Sequence, residues 1–189
     1  MRTETLIEQK TEVDGKLRLL SLYEDFAASV PARWATSTIN KLARPRWETS
    51  AEMWNLNAFN ASQQVRKMMI QNVTEADVLI VALSSLDRCK PKLVDWLDAL
   101  VDGTAEGPVS GLLICLLGDE DQTIKGLGWT VKQFMRCAQG MGRNFIWHWT
   151  GREAINDTTW LTGSVEKFLS RKQPLLNKTW LQETAASLG

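Results

Sequence analysis

Glu24, Asp25, Ser84, Ser85, Asp87 and Asp119 are the residues of this chain best suited to do chemistry, because each follows closely on an apolar run that ends abruptly. Carboxylates gathered at such run-ends offer hard oxygen ligands to a cation such as Mg²⁺. Glu24 and Asp25 are the first candidates for such a metal, with Phe26 beside them and Ser84 or Ser85 placed to contact a substrate. The same residue types also cap helices and populate the loops after strands, which is their commoner use.

The other reactive side chains do not assemble into a catalytic set. Cys89 precedes Lys90 and Pro91, where a helix start and a neighbouring cation lower a thiol pKa, but the one histidine, His148, is distant in sequence. No catalytic residue is assigned. Cys115 and Cys137 lie in apolar patterns and read as core. Three cysteines without metal-ligand spacing make a zinc site unexpected. The loop Glu24-Asp25-Phe26-Ala27-Ala28-Ser29 places two carboxylates where a flavin phosphate would need amides and hydroxyls. Gly126-Leu127-Gly128 and Gly140-Met141-Gly142 are too short for a phosphate-binding motif. No cofactor is expected, Mg²⁺ being the one cation the acids would suit.

The elements that must position these residues alternate. Lys16 to Tyr23 is a first strand, and Trp34, Ala35, Ile39, Leu42 and Ala43 recur at helical spacing behind Pro31, with Ser29 as a cap. Trp47 to Leu56 holds a weaker strand, followed by a helix striped with Phe59, Val65, Met68, Met69 and Val73. Ala76 to Leu83 and Leu112 to Leu117 are apolar on both faces, as central parallel strands must be. Pro91 opens a helix between them. A fourth helix carries Trp129, Val131, Phe134, Met135 and Ala138, then comes a strand from Asn144 to Thr150 and a helix from Trp160 to Ser170.

Five strands alternating with helices predict a three-layer, doubly wound parallel α/β sheet of order 2-1-3-4-5, the flavodoxin-like or receiver-like arrangement. One domain is expected over 15–173. Residues 1–14 form a mobile leading segment, and 174–189 a trailing extension that is helical or disordered. In open parallel sheets ligands bind beyond the carboxyl ends of the strands, which is where the acids and serines above fall.

On those residues the chain resembles the receiver domains of two-component regulators. Glu24-Asp25 stands where that family has its paired acids after the first strand, and Asp77-Val78-Leu79-Ile80-Val81-Ala82 is similar to its third strand. Ala82 occupies the phosphoacceptor aspartate's place, Leu117-Gly118 that of a serine or threonine, and His148-Trp149-Thr150 that of a lysine. The resemblance spans about 16–150 and implies the fold without the family's phosphoryl chemistry. Leu22-Tyr23-Glu24-Asp25-Phe26 is also similar to bacterial proteins of this shape with no assigned activity.

Bulk properties narrow the partners. The 22 basic and 22 acidic residues cancel, leaving no electrostatic footprint for nucleic acid or an anionic membrane. No stretch approaches the length of a membrane span, so a cytoplasmic protein is expected. Arg44, Arg46 and Trp47 are too few for a nucleic-acid surface. Most of the nine tryptophans, Trp34, Trp129 and Trp147 among them, fall on core stripes. Trp96 interrupts the polar side of its helix between Asp95 and Asp98, so it and Trp180 are the candidate contact residues for a protein partner or self-association. The leading expectation is a non-catalytic, receiver-like interaction or regulatory module. Its rivals are a Mg²⁺-dependent or small-molecule-binding enzyme using the acidic edge, and an atypical flavin-binding protein.

Overall fold

The structure is a computed structural model that describes residues 15–44, 46–103, 110–118, 124–150 and 158–172, without the side chains of 86–92 and 124–126. The expected extensions 1–14 and 174–189, with Trp180, lie outside the described residues.

Five parallel strands form one sheet in the order β2-β1-β3-β4-β5. They are β1 (Gly15–Tyr23), β2 (Trp47–Asn55), β3 (Val78–Leu83), β4 (Gly111–Leu117) and β5 (Arg143–Trp149). The helices between them are α1 (Phe26–Ala43), α2 (Gln63–Glu75), α3 (Leu86–Gly103) and α4 (Ile124–Gly140), and α5 (Thr159–Arg171) follows β5. A short 3-10 turn, Leu56–Asn60, leads from β2 towards α2. The alternation and the order match the sequence expectation.

Every residue of β3 and β4 is buried, since both have neighbours on each edge and helices on each face. Their side chains alternate between two cores. Leu79, Val81 and Leu83 meet Leu113, Cys115 and Leu117 beneath α2, α3 and α4, while Val78, Ile80 and Ala82 face α1 and α5. The register sets Leu19 beside Val78 and Tyr23 beside Ala82, so β1 and β3 end together. Ser21 is the polar break in β1. Its hydroxyl is fully buried and lies 2.6 Å from that of Thr36 on α1, whose own hydroxyl donates to the Ala32 carbonyl at 2.8 Å. That chain satisfies both groups in a core that would otherwise penalise them by about 1–3 kcal/mol each.

Two helix starts differ from the sequence reading. Pro31 and Pro91 do not open α1 and α3; both lie inside helices that begin at Phe26 and Leu86. Proline is most favourable in a first turn and within a helix costs a hydrogen bond and a clash with the carbonyl four residues back, yet in α1 the cap residue Asp25 decides the start. Asp25, not Ser29, caps α1, accepting the Ala28 N–H at 2.9 Å. Ser29 is inside the helix and donates its hydroxyl to the Phe26 carbonyl at 2.7 Å. Trp147 also departs from expectation. It is 42% exposed because β5 is an edge strand, so alternate positions there do not reach the core.

Candidate functional site

The carboxyl ends of β1 and β3 bring Glu24, Asp25, Ser84 and Ser85 together. The Glu24 N–H donates to the Ala82 carbonyl at 3.0 Å, extending the β1–β3 ladder one step beyond the strand and fixing the turn. The Glu24 side chain then crosses to the β3 loop. Its Oε2 accepts the N–H groups of Ser84 at 3.0 Å and Ser85 at 3.2 Å. Its backbone carbonyl accepts side-chain N–H bonds from Asn55 and Asn57, each at 3.3 Å, which ties the end of β2 to the same point.

Asp25 points the other way along the edge. One oxygen caps α1, and the other, Oδ2, lies 2.6 Å from the Ser84 hydroxyl. That hydroxyl is also 3.1 Å from Glu24 Oε2. Ser84 therefore sits between two carboxylates and bridges them with one proton. Neighbouring Gly118 closes the edge on the β4 side, donating its N–H to the Leu83 carbonyl at 2.7 Å. A Cβ on Gly118 would stand 2.7 Å from the Ser84 carbonyl oxygen and 2.9 Å from its Cα. Thr150 completes the β5 side, with both its N–H and its hydroxyl bonded to the Leu117 carbonyl.

Of the residues named from sequence, the structure thus unites Glu24, Asp25, Ser84 and Ser85. Phe26 begins α1 beside them and is 83% exposed. Asp87 lies in α3 with its side chain outside the described residues, as does that of Cys89; Asp119 is outside them altogether. Among the described residues no group of three or more His, Cys, Asp or Glu side chains is placed to hold a metal ion. The donors around Glu24 Oε2 and Asp25 are amides and a hydroxyl. The α1 amide of Ala28, at the helix start after β1, is bonded to Asp25.

Trp96 is corrected. It is 4% exposed and packs edge-on against Phe59, with ring centroids 6.4 Å apart, in the core beneath α3. Cys115 and Cys137 are buried as expected; burial pushes the Cys115 thiol well up and that of Cys137 up to about 12. Neither is a nucleophile at neutral pH. His148 stacks on Trp160 of α5, with centroids 4.1 Å apart, and Trp160 meets Trp34 of α1.

The opposite edge of the sheet holds a polar network that the sequence reading missed. Asp77, just before β3, accepts the Arg18 N–H at 2.8 Å and pairs with Lys172 at the end of α5, while Arg18 pairs with Glu75. Arg143, opening β5, is 5% exposed and donates to the Val73 carbonyl at 2.6 Å. Burial pulls its pKa down to about 10, against the pull of Asp77. A single arginine opening an edge strand reads as solvated in sequence, but its side chain lies beside Gly111 and bonds the Val73 carbonyl, groups far from it in sequence. No helix among the described residues is long and apolar enough to cross a membrane.

Comparison with known proteins adds little beyond this geometry. No protein-family model and no curated protein matches the chain. Among solved structures it is similar to a point mutant of flavodoxin from Pseudomonas aeruginosa, at 16% identity over 82% of this chain and 95% of that one, with a TM-score of 0.41. It is similar also to the Trp repressor binding protein from Bacillus subtilis, at 16% identity over 82% of this chain and 99% of that one, with a TM-score of 0.43. Strand order and the placing of helices on both faces make this chain a flavodoxin-like α/β domain.

Proposed function

We propose that the chain is a non-catalytic interaction module, receiver-like in layout, whose acidic edge is a structural clamp. The observation that carries this is the commitment of Glu24 and Asp25 to partners within the protein. Glu24 holds the Ser84 and Ser85 amides, Asp25 caps α1, and Ser84 bridges them. A cation taken up at Glu24 Oε2 or Asp25 would compete with the β3-loop amides and the α1 cap for those oxygens. Ala82, where the resemblance would require a phosphoacceptor, is fully buried and lends its carbonyl to the same clamp. Directly beside this closed edge, Phe26 is 83% and Val30 52% exposed on successive turns of α1, an apolar surface suited to a protein partner.

Thermal unfolding with Mg²⁺, and separately with flavin mononucleotide, tests this. A ligand of the folded state at a hundredfold excess over its Kd adds about 2.7 kcal/mol of stability. Neither ligand is expected to move the midpoint. A rise with Mg²⁺ that Asp25→Ala abolishes would make the edge a metal site and replace this proposal with the enzyme reading.

A further inference from the structure

The face formed by α3 and α4 carries two charged rows of opposite sign along one groove. In α3, Asp95, Asp98 and Asp102 are all exposed and recur at helical spacing on its outer side. In α4, Lys132 and Arg136 are exposed one turn apart. Between the helices lies a cleft of about 470 Å³, lined by Asp98 and Asp102 on one wall, Arg136 on the other, and Val94, Val101 and Cys137 among the apolar residues. Met135, 43% exposed, adds apolar surface on the α4 side. Among the described residues none of the three acids or two bases takes part in a salt bridge; the bridges there are Lys16–Glu48, Arg18–Glu75 and Lys172–Asp77. The two walls face each other across the groove, and among the described residues their charges have no salt-bridge partner.

We infer that this face is the contact surface of a homodimer, its occupant a second copy of the same chain. This rests on the interaction-module reading and adds a second contact surface, on the opposite side of the sheet from Phe26 and Val30. An isologous contact needs a surface complementary to itself. Because α3 and α4 both return between parallel strands, they run in the same direction, and a two-fold axis along the groove sets α3 of each protomer over α4 of the other. Residues at one height along the groove stay at that height. Asp98 and Arg136, which line the same cleft, are thus brought opposite Arg136 and Asp98 of the second copy. A basic partner would be repelled by Lys132 and Arg136, and an acidic one by the aspartate row. A second copy satisfies both rows at once.

Sedimentation velocity of the full chain over a concentration series, at low and at physiological salt, tests the inference. The wild type is expected to dimerise, more tightly at low salt. Asp98→Lys and Arg136→Glu, both at exposed positions, should keep the wild-type circular dichroism. Each should raise the dimer dissociation constant at least about a hundredfold, since the two-fold axis repeats each reversal. An equimolar mixture of the two variants should dimerise again, because every crossing contact then pairs opposite charges. A wild type that stays monomeric, a dimer indifferent to both reversals, or a mixture that fails to re-form each overturns it. None of those results alters the Mg²⁺ and flavin outcome, so the interaction-module reading stands or falls separately.

Discussion

Ser84 has one hydroxyl proton and two carboxylates within reach, at 2.6 Å and 3.1 Å. The shorter contact, to Asp25, takes the proton. Glu24 is then held chiefly by the Ser84 and Ser85 amides, and the two acids should respond differently to mutation. Ser84→Ala removes the bridge and should cost about 1–2 kcal/mol. Glu24→Ala leaves two part-buried amides without their acceptor and should cost about 2–3 kcal/mol, measured from urea midpoints at unchanged m-value. Equal costs for both would mean that the amide bonds carry no stability. The residues of this clamp were legible in the sequence, as acids and serines after apolar runs, but their use was not. Whether a carboxylate faces a cation or an amide depends on where a loop 60 residues away places its N–H groups. Trp96 was misread for a simpler reason. Asp95 and Asp98, near it in sequence, are exposed, yet on a helix it aligns with Leu93 and Leu100, three and four residues away, and those are core.

At the level of elements, β3 and β4 were the most legible, because a strand buried on both faces must be apolar without interruption. Helix starts were less so. Pro31 and Pro91 drew the expected starts inward, while Asp25 shows that a side-chain acceptor for a free N–H of the first turn, that of Ala28, sets the boundary of α1. Edge strands were the least legible, as exposed Trp147 on β5 shows. The close approach of the β3 and β4 ends gives a test at this scale. Gly118→Ala would drive a methyl group to 2.7 Å from the Ser84 carbonyl oxygen, a backbone atom that cannot swing aside. The substitution should lower stability by about 1–3 kcal/mol, read as a fall in the urea midpoint. A neutral result would show that the two ends part without cost, and that the Glu24 clamp tolerates the movement.

Across the whole molecule, one sheet separates two cores, and each strand serves both through its two faces. That two-sidedness made the fold readable from one sequence, since it forces the long apolar runs and the helices between them. What no run length reveals is charge arranged across helices that are neighbours only in space, as on α3 and α4. The clamp between Glu24 and Ser84 has a consequence in time as well as in stability. It lies beyond the strand ends and joins segments 60 residues apart, so it can close only after β1 and β3 have paired over that loop. Its bonds are therefore expected to form after the folding transition state, with a φ-value near zero. For a loss of about 2 kcal/mol, Glu24→Ala should speed unfolding about thirtyfold and leave refolding unchanged in stopped-flow denaturant jumps. Slower refolding instead would place this edge in the folding nucleus. On the first outcome, the acids act as a latch on the finished sheet, setting how long the native state lasts.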